Sequence, residues 1–448
     1  HDDNAMSYDS WGRNVVAHRS ARPACKINRE VLESGPGWLP FGNGRSYGDS
    51  CHNSAGCLID SRADAQILSF DDETSELTCE AGVLLSDILK FAIPRGYFLP
   101  VTPGTQFVTV AGAIANDVHG KNHHVRGSFG RHVCQLHLMR SDAPTAVCSP
   151  TSNAALFAAT IGGMGLTGLM TQATIRLMKV GSANINQRTW RFDHIDDYFA
   201  GSAAFDDAHE YAVAWIDQLA TGKNTGRGIL MGADHQDGSG GPGKYSSGKK
   251  LSVPFTPPFN LVNRVTLAAF NAYYFHREKP GEHVRPVSWQ SYFYPLDAIG
   301  GWNRLYGPKG LFQHQSVYPV ETGHETTIRL MECARSHGHA SFLTVLKRFG
   351  APISPGLFSF ARAGYTLTLD FANQGPRTLR LLDALDDIVV AAGGAINPYK
   401  DARMSADTFE ASFPKWAELE RFRDPVIMSD FWRRTALKLP AGPAKQGS

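Results

Sequence analysis

Three stretches of the 448-residue chain concentrate side chains able to do chemistry. In WLPFGNGRSYGDSCHN, Trp38 to Asn53, Gly42, Gly44 and Gly48 stand beside Arg45 and Tyr47. Glycines this dense let the main chain approach a ligand, and successive free N–H groups form a concave anion site, so a phosphate is the first expectation. An ordinary surface turn between two strands is the alternative. In DVHGKNHH, Asp117 to His124, His119 and His123 have the i, i+4 spacing of helical metal ligands. Gly120 and its glycine neighbours argue against a helix, and no carboxylate cluster accompanies the histidines, so no metal is expected. A polar platform for a phosphate and a sugar, with Lys121 as the cation, fits better. In LFQHQSV, Gln313 and Gln315 alternate, so as strand residues they point to one face, where amides suit hydroxyl recognition.

A dinucleotide fingerprint demands context as well as glycines. Gly163, Gly165 and Gly168 in GGMGLTG make a literal G-x-G-x-x-G. A Rossmann site needs a strand before it and a helix after it, because the pyrophosphate sits on the helix N-terminus. Here the helix-like TSNAALFAATIGG comes first and the strand-like LMTQATIRLMKV follows. The opening loop is spaced G-x-G-x-x-x-G and runs into a loop and a strand, and no P-loop occurs. A nucleotide here must be held by a different fold.

The elements that would carry these stretches change in texture along the chain. From about 38 to 180, short strands such as CLIDSR and ELTCEAGV are broken by glycine turns. LLSDILKFAI sets Leu85, Ile88, Leu89 and Ala92 on one helical face before Pro94 ends it. Thr151 or Ser152 is expected to cap the TSNAALFAATIGG helix. This first region reads as mixed α+β. From about 184 to 395, strands such as YAVAWIDQLA and GYTLTLDF are separated by longer loops and a helix near 321–336. GADHQDGSGGPGKYSSGKK, 232–250, lacks apolar periodicity and reads as a mobile loop or lid. The tail from 396 reads as a turn followed by an amphipathic helix.

A chain this long exceeds one growing core, so two or three domains are expected. With 44 basic and 42 acidic residues, the net charge of +2 gives no broad case for nucleic acid. Seven scattered cysteines without a CxxC pair fit free thiols. The N-terminal stretch has no apolar core of signal-peptide length and no run of about 18 apolar residues occurs. A cytoplasmic or peripherally membrane-associated protein is expected, with the membrane side undecided.

GVLLSDILKFAIPRGYFLPVTPGTQFVTVAGAIANDVHGKNHHVRGSFG follows the opening loop at the distance seen in FAD-binding domains of the vanillyl-alcohol oxidase (PCMH) type, with their strand, helix, PGT turn and GGAIA-like segment. GRSYGDS, DVHGKNHH, GSFG, GGMGLTG, WNRLYGP, LFQHQSVYP and NPYKDAR also occur together in this order. The set resembles the decaprenylphosphoryl-β-D-ribose 2′-oxidase family, the flavin subunit of the epimerase that makes the arabinose donor for cell-wall arabinan. Any one motif is weak, but the ordered set spans nearly the whole chain.

The resemblance implies a two-domain α+β flavoenzyme. Residues 1–183 and the returning tail 396–448 would form the FAD-binding domain, and 184–395 a substrate domain built on an antiparallel sheet. The FAD pyrophosphate would be cradled by the loop of Phe41, Gly42, Asn43, Gly44, Arg45, Ser46, Tyr47, Gly48 and Asp49 and by the turn of Thr109, Val110, Ala111 and Gly112. Gly104, Asn116, Asp117, Val118 and His119 match further cofactor contacts, as do Met170 and Asn397. Relatives with covalent flavin carry a histidine where Arg45 stands here, and His52 lies too far along, so noncovalent FAD is expected.

Oxidising a secondary alcohol needs a hydride acceptor beside the carbinol C–H and a group that takes the hydroxyl proton. The resemblance assigns the second task to Tyr47, His119, Lys121 and Lys400, with Lys400 returned by the tail to the flavin face. It also implies substrate contacts from Gln313, Gln315, Lys347, Tyr294, Trp215 and Thr368. Thr368 stands where mycobacterial members have the cysteine attacked by covalent nitroaromatic inhibitors, and a threonine cannot form that thiol adduct. Thr366 replaces an asparagine and Ile299 a pocket aromatic, which bears on substrate preference.

The expected activity is oxidation of the ribose 2′-hydroxyl of a polyprenylphosphoryl ribose to a 2′-keto intermediate. The absence of a dinucleotide fingerprint implies a separate NAD(P)H-dependent keto-reductase. The lipid substrate implies peripheral membrane contact, for which the 232–250 segment with Lys244, Lys249 and Lys250 is the candidate. Two alternatives remain: a soluble alditol, aldonolactone or sugar oxidase of the same fold, and a flavin-binding redox partner with little catalysis of its own.

Overall fold

The computed structural model describes residues 8–15, 20–246 and 251–440. Lys249 and Lys250 therefore lie outside the described residues. The architecture is α+β, built mainly on two groups of sheets whose residues share buried cores.

The first group holds a parallel three-stranded sheet of Ala21–Pro23, Cys57–Asp60 and Trp38–Phe41, and an antiparallel five-stranded sheet ordered Ile67–Asp71, Glu76–Glu80, Leu169–Arg176, Val133–Met139 and Ala146–Cys148. The helix Leu85–Ala92 buries Leu85, Ile88, Leu89 and Ala92, the stripe read from the sequence. The helix Ala154–Thr160 starts later than expected. Its N-cap is Asn153 at φ +49°, while Ser149 Oγ accepts the N–H groups of Thr151 and Ser152 in a preceding turn. That local side-chain turn is what displaces Thr151 and Ser152 from the cap.

The second group is one antiparallel eight-stranded sheet. Its order is Gly281–Val287, Ile185–Phe192, Gly228–His235, Tyr211–Ile216, Val345–Phe349, Gly364–Ala372, Leu311–Tyr318 and Ala395–Ile396. All nine residues of Gly364–Ala372 are buried, as a strand covered on both faces must be. Leu367, Leu369 and Phe371 join the core shared with Leu330, Leu381 and Leu385 of the helices Gly323–Ser336 and Pro376–Ala391. The alternating residues Thr366, Thr368 and Asp370 face the other way.

Where one amphipathic helix is expected, the tail forms two short ones, Ala406–Ser412 and Trp416–Phe422, and a third, Asp430–Arg434, follows. Pro414 lies between the first two and cannot continue a helix. Beyond them the chain returns to the first group. Trp38 N–H donates to the Val426 carbonyl at 2.8 Å, and Met428 N–H to the Trp38 carbonyl at 3.0 Å.

Candidate active site

The loop after Trp38–Phe41 is shaped by what it packs against. A side chain at Gly42 would meet Thr109 Oγ1 at 2.5 Å, and one at Gly48 would meet the Asp401 carbonyl at 1.8 Å. Gly44 sits at φ +61°. Among the described residues, no main-chain N–H from Gly42 to Gly48 has a hydrogen-bond partner, and residues 42–47 are only half-buried. A run of unpaired, accessible N–H donors is what a diphosphate needs. These residues fit the diphosphate of FAD.

The Thr109–Gly112 segment differs from the expected turn in conformation. Thr109 caps the helix Val110–Ala115 instead of forming a turn, and its donors are committed. Val110 N–H donates to the Val83 carbonyl at 2.8 Å, Ala111 N–H to the Ala81 carbonyl at 3.1 Å, and Gly112 N–H to Thr109 Oγ1 at 3.0 Å. This segment offers a small, half-buried surface at Ala111 and Gly112 but no free donors there. Gly104 has open space where a side chain would begin. Asn116 Nδ2 reaches Ser46 Oγ at 3.4 Å, so the helix end and the glycine loop meet.

Several expected cofactor residues are committed elsewhere. The Asp117 carboxylate accepts from Ser128 Oγ at 2.9 Å, Gly130 N–H at 2.8 Å, Ser354 Oγ at 2.5 Å and Ser359 Oγ at 2.6 Å, so it is a buried hub that ties four donors of the protein together. Asp49 binds Arg434 with both oxygens, at 2.9 and 3.0 Å. Phe41 and Met170 are core residues, and Asn43 Nδ2 donates to the Phe107 carbonyl at 2.7 Å. The Arg45 guanidinium lies 4.6 Å from the Trp11 ring centroid. Val118 is half-buried, packed at the edge of the first core.

On the eight-stranded sheet, register collects the substrate candidates. Gln313 pairs with Asp370 and Gln315 with Thr368. Lys347 pairs with Thr366, Val345 with Thr368, and Trp215 with Val345. Directly opposite residues project to the same side, so Trp215, Lys347, Thr366, Thr368, Asp370, Gln313 and Gln315 share one face. Gln313 Nε2 donates to Asp370 Oδ1 at 2.6 Å, and Gln315 Nε2 donates to Thr366 Oγ1 and to His119 Nε2, each at 3.0 Å. Asn397 Nδ2 in turn donates to Gln315 Oε1 at 2.9 Å, which makes Asn397 a positioning residue for that amide.

Lys400 ends the one-turn helix Pro398–Lys400, and that turn is fixed from several sides. The Asn397 side chain accepts from Tyr399 N–H, and the Tyr399 hydroxyl donates to the Gly162 carbonyl at 2.7 Å. Arg434 bridges Asp401 and Asp49, tying the turn to the glycine loop. Arg403 carries the chain of ion pairs on to Asp386, which also binds His314 at 2.9 Å. The Lys400 ammonium lies 5.9 Å from the Tyr47 ring centroid.

The electrostatics are strongly cationic. Burial pushes Lys121 down to about 7, aided by the charge of Lys347, and pushes Lys347 itself down to about 8. Burial likewise lowers Lys400 and raises Asp370, whose opposite charges partly restore each other. Burial and then the Lys400 charge hold His119 well below its ordinary value, so it is neutral and accepts from Gln315. Lys121 bonds the Tyr292 carbonyl and lies over the Tyr292 ring. Lys347 bonds the Ala212 carbonyl at 2.9 Å and His124 Nδ1 at 3.1 Å. Ala212 N–H in turn donates to the Lys121 carbonyl at 2.9 Å, so both lysines grip the same residue.

Tyr294 and Trp215 are each held by neighbours outside that set, Trp215 while lying on the shared face. The Tyr294 hydroxyl is bonded to Thr102 Oγ1 at 2.6 Å. Trp215 packs against Tyr274 at 4.7 Å, in a cluster with Ile229 and Phe275. Ile299 packs beside Trp302, Tyr306 and Tyr47. His123 Nδ1 accepts Gly350 N–H at 3.1 Å, which fixes that ring structurally.

Asp370 was missed from the sequence, although it continues the period of two set by Thr366 and Thr368 in GYTLTLDF. Its Oδ2, Gln313 Oε1 and the Tyr306 hydroxyl are buried atoms without a partner among the described residues. Orphaned polar atoms on a site face mark where a ligand's polar groups belong.

Residues 13–149 match a family described as FAD binding domain. Decaprenylphosphoryl-beta-D-ribose oxidase of Mycolicibacterium smegmatis is 35% identical over 426 residues, covering 92% of this chain and 92% of its own. An uncharacterized protein in the mprA 5′ region of Streptomyces coelicolor is 32% identical over 372 residues, covering 79% of this chain and all of its own. L-gulonolactone oxidase of Mus musculus is 32% identical over only 113 residues, 25% of each chain. The FAD-binding family match and the full-length similarity make this chain an FAD-dependent oxidoreductase of PCMH-type fold, and it belongs to the decaprenylphosphoryl-β-D-ribose oxidase family.

Proposed function

We propose that the chain oxidises the 2′-hydroxyl of decaprenylphosphoryl-β-D-ribose, or a similar polyprenylphosphoryl ribose, to the 2′-keto sugar. In this reading residues 1–183 and 396–448 hold the cofactor and 184–395 the substrate. The observation that carries it is the charge on the substrate side. Lys121 and Lys347 bond carbonyls and an imidazole, and among the described residues neither forms an ion pair with a carboxylate, the charge of buried Asp206 acting on Lys347 only from beyond contact distance. Paired buried cations call for an anion, and a phosphodiester on the anomeric carbon supplies one.

Gln313, Gln315 and Thr368 offer donors and acceptors for the sugar hydroxyls from one face. When bound, FAD supplies the two-electron acceptor. Lys400, beside Tyr47 and His119, stabilises negative charge that develops as the hydroxyl proton leaves. Noncovalent attachment is supported by Arg45, which offers no nucleophile where covalent relatives carry histidine. Return reduction of the keto sugar then requires a separate NAD(P)H-dependent keto-reductase, and the lipid tail requires peripheral membrane contact.

The test is anaerobic mixing of the FAD-loaded protein with farnesylphosphoryl-β-D-ribose while following the long-wavelength flavin band. Rapid bleaching is expected. No bleaching with this lipid, alongside rapid bleaching by a free alditol or aldonolactone, would replace the reading with a soluble sugar oxidase. Bleaching by neither, with tight binding of the reductase, would point to a redox partner.

A further inference from the structure

Fifteen large apolar side chains of the described surface are exposed, and eight of them fall between Leu251 and Val284. The helix Arg264–Arg277 is the centre of this cluster, and its burial is inverted. It turns Leu267, Asn271 and Phe275 inward, where Asn271 Nδ2 donates to Asp217 Oδ1 at 2.9 Å. Val265 and Tyr273, two residues out of phase with that stripe, lie on the opposite side and are 79% and 64% exposed. No charged residue occurs from Val265 to Phe275. A helix apolar on its outer side is one that something covers.

The loop leading into this helix repeats the pattern. Phe255 and Phe259 are 66% and 63% exposed, and Leu261 is exposed as well. The charge around the patch has one sign. From Gly238 to Arg277 the sequence contains no Asp or Glu, but it contains Lys244, Lys249, Lys250, Arg264 and Arg277. Of the carboxylates that flank it, Asp237 accepts from Ser239 N–H at 2.9 Å in a turn, Glu278 pairs with Arg285 and His283, and Glu282 with Arg188. Exposed aromatic and aliphatic side chains within a cationic, carboxylate-free stretch have the chemistry of a surface that sits in the headgroup region of an anionic bilayer.

The patch also adjoins the site. Leu261 N–H donates to the Leu305 carbonyl at 3.1 Å, and Val262 packs into the cluster of Trp302, Tyr306 and Tyr47. We infer that the helix Arg264–Arg277 and the preceding loop dock the enzyme on an anionic lipid bilayer, with Phe255, Phe259, Val265 and Tyr273 inserted among the headgroups. The docking face is thus shifted from the 232–250 segment to the elements that follow it. A lipid-borne substrate would pass from the bilayer toward Tyr47 by way of the Trp302 and Tyr306 cluster, a consequence that rests on the function proposed above.

The test is sedimentation of the FAD-loaded full chain with sucrose-loaded vesicles of phosphatidylcholine, alone or with about 30% phosphatidylglycerol, at low and high salt. The wild type should bind the anionic vesicles, more weakly at high salt and on pure phosphatidylcholine. The variant F259S/V265S/Y273S should keep its melting temperature and FAD content and lose at least tenfold in vesicle affinity. Equal binding by both proteins, or none by the wild type, overturns the inference. So does a dimer in light scattering that the triple variant converts to monomer without vesicle binding, or binding of purified reductase in place of vesicles. Vesicle binding with no bleaching by farnesylphosphoryl ribose would refute the proposed substrate and leave the docking face standing.

Discussion

Replacing Lys347 by methionine should move stability and phosphate binding in opposite directions. The side chain is 4% exposed, and its ammonium is held at about 8 against an ordinary 10.5. Keeping it charged at pH 7 therefore costs the folded state about 3 kcal/mol. Methionine removes that cost but leaves the Ala212 carbonyl and His124 Nδ1 without their donor, a loss of about 1 kcal/mol each. Lys347→Met should thus be roughly 1 kcal/mol more stable at pH 7. The sign with pH follows from the depressed amine: the unfolded chain binds more protons between about 8 and 10.5, so wild-type stability rises across that window as the amine discharges. The methionine variant lacks this rise, and the order should reverse toward its upper end. Binding of farnesylphosphoryl ribose should weaken by roughly 10- to 150-fold, from a charge-assisted bond of about 1.5–3 kcal/mol. Urea unfolding at pH 7 and 9.5 and titration of the ligand read both effects. A variant that is less stable at pH 7, keeps the wild-type pH slope and binds the ligand normally would refute the reasoning.

Lys400→Ala should retain yellow FAD but reduce it at least about 100-fold more slowly in anaerobic stopped flow, the scale of losing one electrostatic stabiliser; normal reduction would remove Lys400 from the chemistry. Affinity for farnesylphosphoryl ribose should fall as pH rises through 7 to 8, where Lys121 and Lys347 lose charge, and a flat profile would exclude them as the phosphate site. Asp117→Ala should cost about 3–5 kcal/mol, because four donors lose their shared acceptor; calorimetric melting checks this. Gly48→Ala should purify without flavin, since its Cβ would overlap the Asp401 carbonyl at 1.8 Å and push the glycine loop from the Lys400 turn. Wild-type FAD content in that variant would show that the two segments separate without penalty.

Local pattern carried a good part of this protein. The stripe of the helix Leu85–Ala92 and the alternation of Gln313 and Gln315 depend only on the period of the element, and both are read correctly without any tertiary contact. The order of the motifs was enough for the family. What sequence could not separate was which polar groups remain free. The glycine loop and the Thr109–Gly112 segment look alike as cradles, yet main-chain acceptors from Ala81 and Val83, brought up by folding, occupy the donors of one and not the other. Asp49 and Asp117 look like ligand contacts until Arg434, some 385 positions away, and serines beyond residue 350 take up their oxygens. Asp370 continues a visible alternation, but its significance comes from register, which sets it opposite Gln313, and from burial, which leaves one oxygen unpaired. Hydrogen-bond capacity is finite and folding assigns it over long range. The sequence by itself thus determined which residues could serve the site, and the tertiary structure decided which of them are still available to do so.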